Sequence, residues 1–470
     1  MCGIVGYVGE QNAVPVLISG LQSLEYRGYD SAGVAVLNVD KIGIRKTKGK
    51  VDNLRNLLLN EPVSGHVGIG HTRWATHGAP SDLNAHPHFS NDDKIAVVHN
   101  GIIENYQELK AELEAKGYIF HSETDTETVA HLIDDYYKQG LDLLESVRRT
   151  LERIEGSYAL GVLCTDYPDQ LIAARKESPL IVGLGKNENF IASDIPAILT
   201  YTKDAYILGD KELAVVKADG VKIYDINGNE IQKEVYTYKW DVEAAQKNGY
   251  DHFMLKEIYE QPKVVKDNLA KRFSEDGKSI ELDGIKLGKA ELENINQIYI
   301  VACGTAYYAG LIGKYLLERI VRIPVNSDVA SEFRYKDPLI DEHTLVIVIS
   351  QSGETADTHS ALKLAKSKGA RVLGVVNAVG SSIARDADDV LYTLAGFEIA
   401  VASTKAFSAQ VVAMYLITLH IAQELGKIDD KTFAEIKKAM DRLPSQINDI
   451  LTKAVPAIRG FVNKYISSKN

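Results

Sequence analysis

Two textures of hydrophobic patterning divide the chain. In the first half the apolar runs are short. Gly33 to Leu37, Val67 to Gly70 and Ile95 to Val98 are rich in β-branched residues and bounded by glycine or polar positions, which predicts strands. From Asn105 to Lys116 the apolar positions Tyr106, Leu109 and Leu113 recur at helical intervals, and Gly117 follows where a helix would stop. Strands and helices come in groups rather than in strict alternation, so residues 2–222 read as an α+β layered domain. Asn227-Gly228, set between Val221 to Tyr224 and Ile231, predicts a hairpin near the end of that sheet. Val242 to about Leu292 is charged and rich in helix formers. With the hairpin it reads as a helical connector over 223–292, with Gln261-Pro262 as its main breaker.

The texture changes near Gln297. Ile298 to Ala302, Leu345 to Ile349, Val372 to Val376 and Val390 to Tyr392 are continuous apolar runs separated by helix-length segments, as expected of strands buried on both faces. That rhythm predicts an α/β doubly wound parallel sheet over 293–430. The apolar stretch Val411 to Ile421 predicts its closing helix, and 431–470 reads as a helical tail too short for a further domain.

Composition narrows the function classes. The 470 residues are 45% hydrophobic and 25% charged, ordinary for a globular protein. A net charge of -11 argues against nucleic-acid or anionic-membrane surfaces, both of which need a positive face. Three cysteines, Cys2, Cys164 and Cys303, offer no disulfide framework and no paired metal motif, which points to the cytoplasm. No charged leader precedes an apolar core, and no uncharged apolar run is expected to reach the ~18 residues of a membrane span.

Candidate chemistry begins at Met1-Cys2-Gly3. Cysteine is small enough to permit removal of the initiator Met, which would place a thiol beside a free α-amine. With pKa values of roughly 8.5 and 7.7–8.0, the amine can relay the thiol's proton near neutral pH. Arg73, in Gly70 to Gly78, is either a surface arginine or a fork for a carboxylate. Asn100-Gly101 is either a two-residue hairpin turn or a pair of donors for an oxyanion. Thr124 to Glu127 fits a capping box, which leaves Asp125 to complement a helix dipole or to bind an ammonium. His71, His77, His86, His88 and His99 lack a metal-binding helical spacing, and no metal is assigned to them.

Cys2 to Gly6, Glu25 to Gly33, His71 to Gly78, His99 to Gly101 and Glu123 to Glu127 together resemble the glutaminase domain of N-terminal-nucleophile amidotransferases. The resemblance implies Cys2 as the nucleophile that forms a glutamyl thioester and releases ammonia. It implies Arg73 and Asp125 as clamps on the α-carboxylate and α-amine of glutamine, and Asn100 and Gly101 as the oxyanion hole. Trp74, Thr76 and His77 would line the site.

In the second half, Ser350-Gln351-Ser352-Gly353-Glu354-Thr355 follows a buried strand and opens a helix, and Cys303-Gly304-Thr305-Ala306 repeats that arrangement. Hydroxyls, glycines and helix N-termini at the carboxyl ends of strands suit a phosphate. Neither loop is a Walker A sequence and Gly183-Leu184-Gly185 lacks a third glycine, so ATP and NAD are not supported and no cofactor is assigned. With Val401 to Phe407 these loops resemble a sugar isomerase domain. By that resemblance Thr305, Ser350, Gln351, Ser352 and Thr355 hold a sugar phosphate, and Val401 and Ser403 border the sugar. Ala306 stands where such domains often carry serine. Glutaminase followed by sugar isomerase resembles the family of glutamine:fructose-6-phosphate aminotransferases, with glutamine and fructose 6-phosphate as substrates, no nucleic acid or membrane, and a homodimer through the sugar isomerase domain. That family carries a second sugar isomerase domain, which supplies the isomerase acid and base and for which no counterpart is expected in the residues after about Ile450. A glutaminase alone and a non-catalytic sugar-phosphate sensor are the competing expectations.

Overall fold

The computed structural model describes residues 2–25, 28–38, 41–75, 77–238 and 248–468. They fall into two compact units, Met1–Ala245 and Gln246–Asn470.

The first unit packs two antiparallel sheets between helices. One sheet has eight strands, in the order Tyr236–Thr237, Asp204–Ile207, Ile181–Leu184, Glu188–Ala192, Gly3–Gly9, Val67–Arg73, Ser31–Asn38 and Lys41–Lys48. The other has seven, in the order Glu230–Ile231, Gly220–Tyr224, Glu212–Lys217, Gln170–Lys176, Gly156–Cys164, Ile95–Ile103 and His88–Phe89. Their facing sides interdigitate Ile4, Ile69 and Ile191 with Val98, Ala159 and Leu171, all removed from water. Helix Ala13–Ser23, capped by Asn12 on the Val14 N–H, covers the outer face of the first sheet. Glycines make that approach possible. A Cβ at Gly68 would stand 2.9 Å from Leu17 and one at Gly70 3.0 Å from Leu21. Helices Thr126–Lys138 and Leu143–Arg153 cover the second sheet through Val129, Ile133, Val147 and Leu151. The layers are those of the expected α+β architecture.

The second unit carries a five-stranded parallel sheet, in the order Val325–Val329, Gln297–Ala302, Thr344–Ser350, Arg371–Val376 and Asp389–Tyr392. Four of these strands match the apolar runs. The fifth, Val325-Asn-Ser-Asp-Val, lies at the sheet edge with only Val325 buried, so its polar composition hid it. Helix Lys405–Glu424 extends the predicted apolar helix and has the length and apolarity of a membrane span, contrary to the expectation that no such run exists. Two thirds of it is buried inside this unit, where Val412, Leu416 and Ile417 belong to the core. Helix Asp430–Tyr465 packs Phe433 and Met440 on that core.

Three local expectations are corrected. Asn100-Gly101 lies inside strand Ile95–Ile103, paired with Ala159 and Tyr158, and is not a hairpin turn. Helix Thr126–Lys138 has Asp125 as its N-cap residue with no side-chain cap bond, so Thr124 and Glu127 do not form a capping box. Pro262 lies within helix Phe253–Leu269 instead of breaking it. A proline in a helix orphans the carbonyl four residues earlier. Here that carbonyl, Ile258 O, accepts from the Gln261 side-chain amide at 3.1 Å.

Candidate active site

Cys2 precedes the first strand, whose antiparallel pairing sets Gly3 opposite Thr72 and Ile4 opposite His71. This register brings the half-buried Cys2 to the end of strand Val67–Arg73, where its Sγ accepts from the Trp74 N–H at 3.2 Å. Burial pushes the Cys2 thiol up, and the Trp74 N–H opposes that shift. Ser193 anchors the start of the same strand, its Oγ accepting from Ile4 N at 3.0 Å while its N–H donates to Ile4 O at 3.0 Å. Gly3 permits the close pairing, because a Cβ there would meet Thr72 Oγ1 at 2.7 Å.

The second sheet reaches the same point through strand Ile95–Ile103. Asn100 Nδ2 donates to the Cys2 carbonyl at 3.1 Å, and its Oδ1 lies 2.9 Å from His71 Nε2. Gly101 adopts φ +136, and a Cβ there would stand 2.0 Å from Ser157 O, so a side chain is excluded on both counts.

Arg73 is 3% exposed. Its Nη2 donates to Gly78 O at 2.9 Å and to His77 O, while Nη1 is buried without a partner among the described residues. An orphaned guanidinium N–H is costly unless a ligand fills it, which suits a substrate carboxylate. Asp125, also buried, accepts from Ile103 N at 2.8 Å and stands 4.0 Å from His99 Nδ1. His77 packs edge-on against Tyr106, and the half-exposed Trp74 packs against Tyr29. Thr76, together with Tyr26 and Arg27 of the quoted motif, lies outside the described residues.

Around this core runs a chain of buried imidazoles. His71 stacks on His86 with ring centroids 4.1 Å apart, and His86 meets His88 edge-on at 4.8 Å. His88 bonds Thr124 Oγ1 at 3.0 Å, and His99 bonds Thr126 Oγ1 at 2.9 Å. Burial holds all four neutral, and His71 is pushed down to about 3. Beside them, burial opposes ionisation of Glu127. The His131 ring and the N–H groups of His121 and Ser122 outweigh it and hold the carboxyl at about 2. Four contributors escaped the sequence reading. They are His71 as a partner of Asn100, Ser193, Asp30, which receives the Ala75 N–H, and Gly28, where a Cβ would meet the Arg73 carbonyl carbon at 2.8 Å. Gly28 and Asp30 stood inside a quoted motif; Ser193 carried no local signal.

In the second unit, the two polar loops leave the carboxyl ends of adjacent parallel strands, Gln297–Ala302 and Thr344–Ser350. Ser350 Oγ bonds Thr355 Oγ1 at 2.9 Å and accepts from Gly353 N at 3.0 Å, and Ser352 Oγ accepts from Glu354 N at 3.2 Å. Gly353 has φ +66, and a Cβ there would stand 2.0 Å from Ser381 Oγ. Thr305 lies exposed in the first turn of helix Gly304–Ile320, while Ala306 turns into the core. The Gln351 carbonyl accepts from Asn377 N at 3.1 Å. Ser403 donates to Glu398 at 3.0 Å, and Val401 is 71% exposed. Sequence reading missed Glu257, a buried carboxylate that holds Ala400 N at 3.0 Å and also receives Ile399 N. It also missed Lys405, paired with Glu260 at 2.6 Å. Glu257 lies in the segment read only as a charged helical connector, and Lys405 lies inside the quoted Val401 to Phe407 motif without having been assigned a role.

Residues 71–200 match the family model described as a glutamine amidotransferase domain, and residues 291–420 match the SIS domain. The class is therefore a glutamine amidotransferase unit followed by a SIS unit. The glutamine–fructose-6-phosphate aminotransferase (isomerizing) of Clostridium tetani is 58% identical over 451 residues, covering 96% of this chain and 74% of that protein. The Clostridium perfringens protein of the same name is 56% identical over 470 residues, covering 100% of this chain and 76% of that protein. A solved C-terminal domain of glucosamine-fructose-6-phosphate aminotransferase from Francisella tularensis is 39% identical, covers 43% of this chain and 56% of that chain, and has a TM-score of 0.41. The chain belongs to the glutamine–fructose-6-phosphate aminotransferase family and spans about three quarters of the length of those two curated relatives.

Proposed function

We propose that the chain is a glutamine-dependent amidotransferase that converts fructose 6-phosphate and glutamine to glucosamine 6-phosphate and glutamate. Cys2 Sγ attacks the side-chain carbonyl carbon of glutamine. The carbonyl electrons move onto oxygen, which faces the Asn100 amide and the Gly101 N–H. With Met1 removed, collapse expels ammonia, the thiol's proton being delivered by way of the freed Cys2 α-amine, and leaves a thioester. Water then hydrolyses the thioester to glutamate and restores the thiol. Arg73 holds the α-carboxylate and Asp125 the α-ammonium, while Trp74, Thr76 and His77 line the pocket. Ammonia replaces an oxygen of fructose 6-phosphate, releasing water. The sugar phosphate is held by Thr305, Ser350, Gln351, Ser352 and Thr355 and bordered by Val401 and Ser403. The chain works in the cytoplasm as a homodimer through its sugar isomerase unit, where Tyr308 and Tyr315, 60% and 68% exposed on one helix, offer apolar surface.

The observation that carries this reading is the meeting of Cys2, Trp74 N–H and the Asn100 amide beside a buried arginine with an N–H unfilled among the described residues. The test is glutamate release from glutamine by the full chain and by Cys2→Ala, with calorimetry of fructose 6-phosphate binding to both. Release is expected only from the unsubstituted chain, and sugar-phosphate binding from both. Undiminished release by Cys2→Ala would sink the mechanism.

A further inference from the structure

His71 is a buried group to which neither the nucleophile nor the substrate clamps assign a task. It is 1% exposed on strand Val67–Arg73, opposite Ile4. Its Nε2 lies 2.9 Å from Asn100 Oδ1 and 3.0 Å from His99 O. Both neighbours are oxygens that only accept, so Nε2 must carry the hydrogen. Nδ1 has no partner among the described residues and the ring lies flat on His86, the arrangement of a neutral imidazole with a single N–H. Burial that pushes the ring down to about 3 keeps Nδ1 bare at neutral pH.

The consequence falls on Asn100. An asparagine amide can sit either way round, and only one way offers its N–H groups to the Cys2 side. With Oδ1 held by His71, Nδ2 is turned to the Cys2 carbonyl, 3.1 Å away. The reversed amide would set N–H against N–H at His71 and oxygen against oxygen at Cys2, leaving buried groups unpaired at both ends. We propose that His71 is a positioning residue of the glutaminase reaction: as the Nε2–H tautomer it locks the Asn100 amide with its NH2 edge toward the reacting carbonyl. The inference rests on the reading of Asn100 as an oxyanion donor.

The test is a double-mutant cycle on glutamine hydrolysis by the full chain. His71→Leu is expected to lower kcat on the order of 10- to 100-fold, less than or equal to deletion of the donor in Asn100→Ala. KM for glutamine should stay within about twofold, since the clamps are untouched. In His71→Gln the amide nitrogen replaces imidazole Nε2, so most of the rate should return. In the Asn100→Ala background His71→Leu should cost nothing further. An equal loss in both backgrounds, or a glutamine variant no better than leucine, overturns the proposal. Full activity of Cys2→Ala and Asn100→Ala would overturn the glutaminase reading itself and this proposal with it. Should His71→Leu fail to fold, nitrogen-15 spectra of histidine-labelled chain decide independently: the Nε2–H pattern for His71 supports the lock, and the Nδ1–H pattern refutes it.

Discussion

The Cys2 site and the Ser350 loop are built from opposite materials. Around Cys2 the working groups are buried and cross-braced between two sheets. Asn100 reaches the Cys2 carbonyl from one sheet to the other, and Arg73 is almost wholly enclosed. In the Ser350 loop short hydroxyl side chains bond mainly to one another and to loop N–H groups, and Thr305 and Val401 stand open. Stabilising a developing charge during a reaction needs donors fixed beforehand. Gripping a phosphate needs only a cluster of donors at a helix start, which water can satisfy until the ligand arrives. Substitutions around Cys2 should therefore damage stability and rate together, whereas substitutions in the Ser350 loop should damage affinity alone.

The largest expected effect that would sharpen this contrast is acid sensitivity. His71, His86, His88 and His99 are held neutral in the folded chain, so unfolding takes up protons below the ordinary histidine value. Folded pKa values below the unfolded one mean that stability falls as pH drops below about 6.5. The loss deepens as pH falls further, and for His71, held down to about 3, it continues across the whole range from 6.5 to 3. Glu127, held at about 2, adds stability that is present above about 4.5 and lost as pH falls toward 2. Hydrogen exchange from pH 7 to 5 should show the first unit opening well before the second, and simultaneous opening would break the comparison.

Gly101→Ala comes next. A methyl group 2.0 Å from Ser157 O, on a backbone at φ +136, should cost about 3 kcal/mol of stability and at least about 100-fold in glutamine hydrolysis. Thermal melts and initial rates check both. Arg73→Lys keeps the charge but loses the fork, so KM for glutamine should rise about 10- to 100-fold with a smaller change in kcat. Ser352→Ala should weaken fructose 6-phosphate binding by about 1 kcal/mol, read by calorimetry, and leave the melting temperature unchanged.

Much of this was legible in the residues. The runs Ile298 to Ala302 and Leu345 to Ile349 announced the parallel sheet, because strands buried on both faces cannot disguise themselves. Strand Val325–Val329 could not be read, since an edge position tolerates Asn, Ser and Asp. Cys2, Arg73, Asn100 and Asp125 were nameable from five ordered motifs. What linked them was not, because His71 and His99 act through partners 29 and 27 residues away, and spacing along a chain says nothing about which nitrogen faces which oxygen. Sequence reading weighs His71, His86, His88 and His99 only as metal ligands, a question that obscures their service as neutral spacers and donors. Asn100-Gly101 read locally as a turn; the strand pairing overrode that preference and used the glycine for clearance instead.

The Gln261-Pro262 pair carries a lesson beyond this chain. A proline restricts the disordered chain before folding begins, and where the folded backbone already suits it that restriction is worth about 0.4–1 kcal/mol in favour of the native state. Inside a helix this gain is normally erased by the carbonyl left without a donor. Gln261 returns the donor from one residue away, so the dipeptide supplies the hydrogen bond that its own proline removes. In a Ser408→Ala background, which removes the bond that Ser408 Oγ donates to Gln261 Oε1 at 2.7 Å, Gln261→Leu should still lower stability by about 1 kcal/mol in denaturant melts while Pro262 stays in place. A sequence scan that treats every proline as a stop would cut this helix in two; one that also reads the preceding side chain would run straight through.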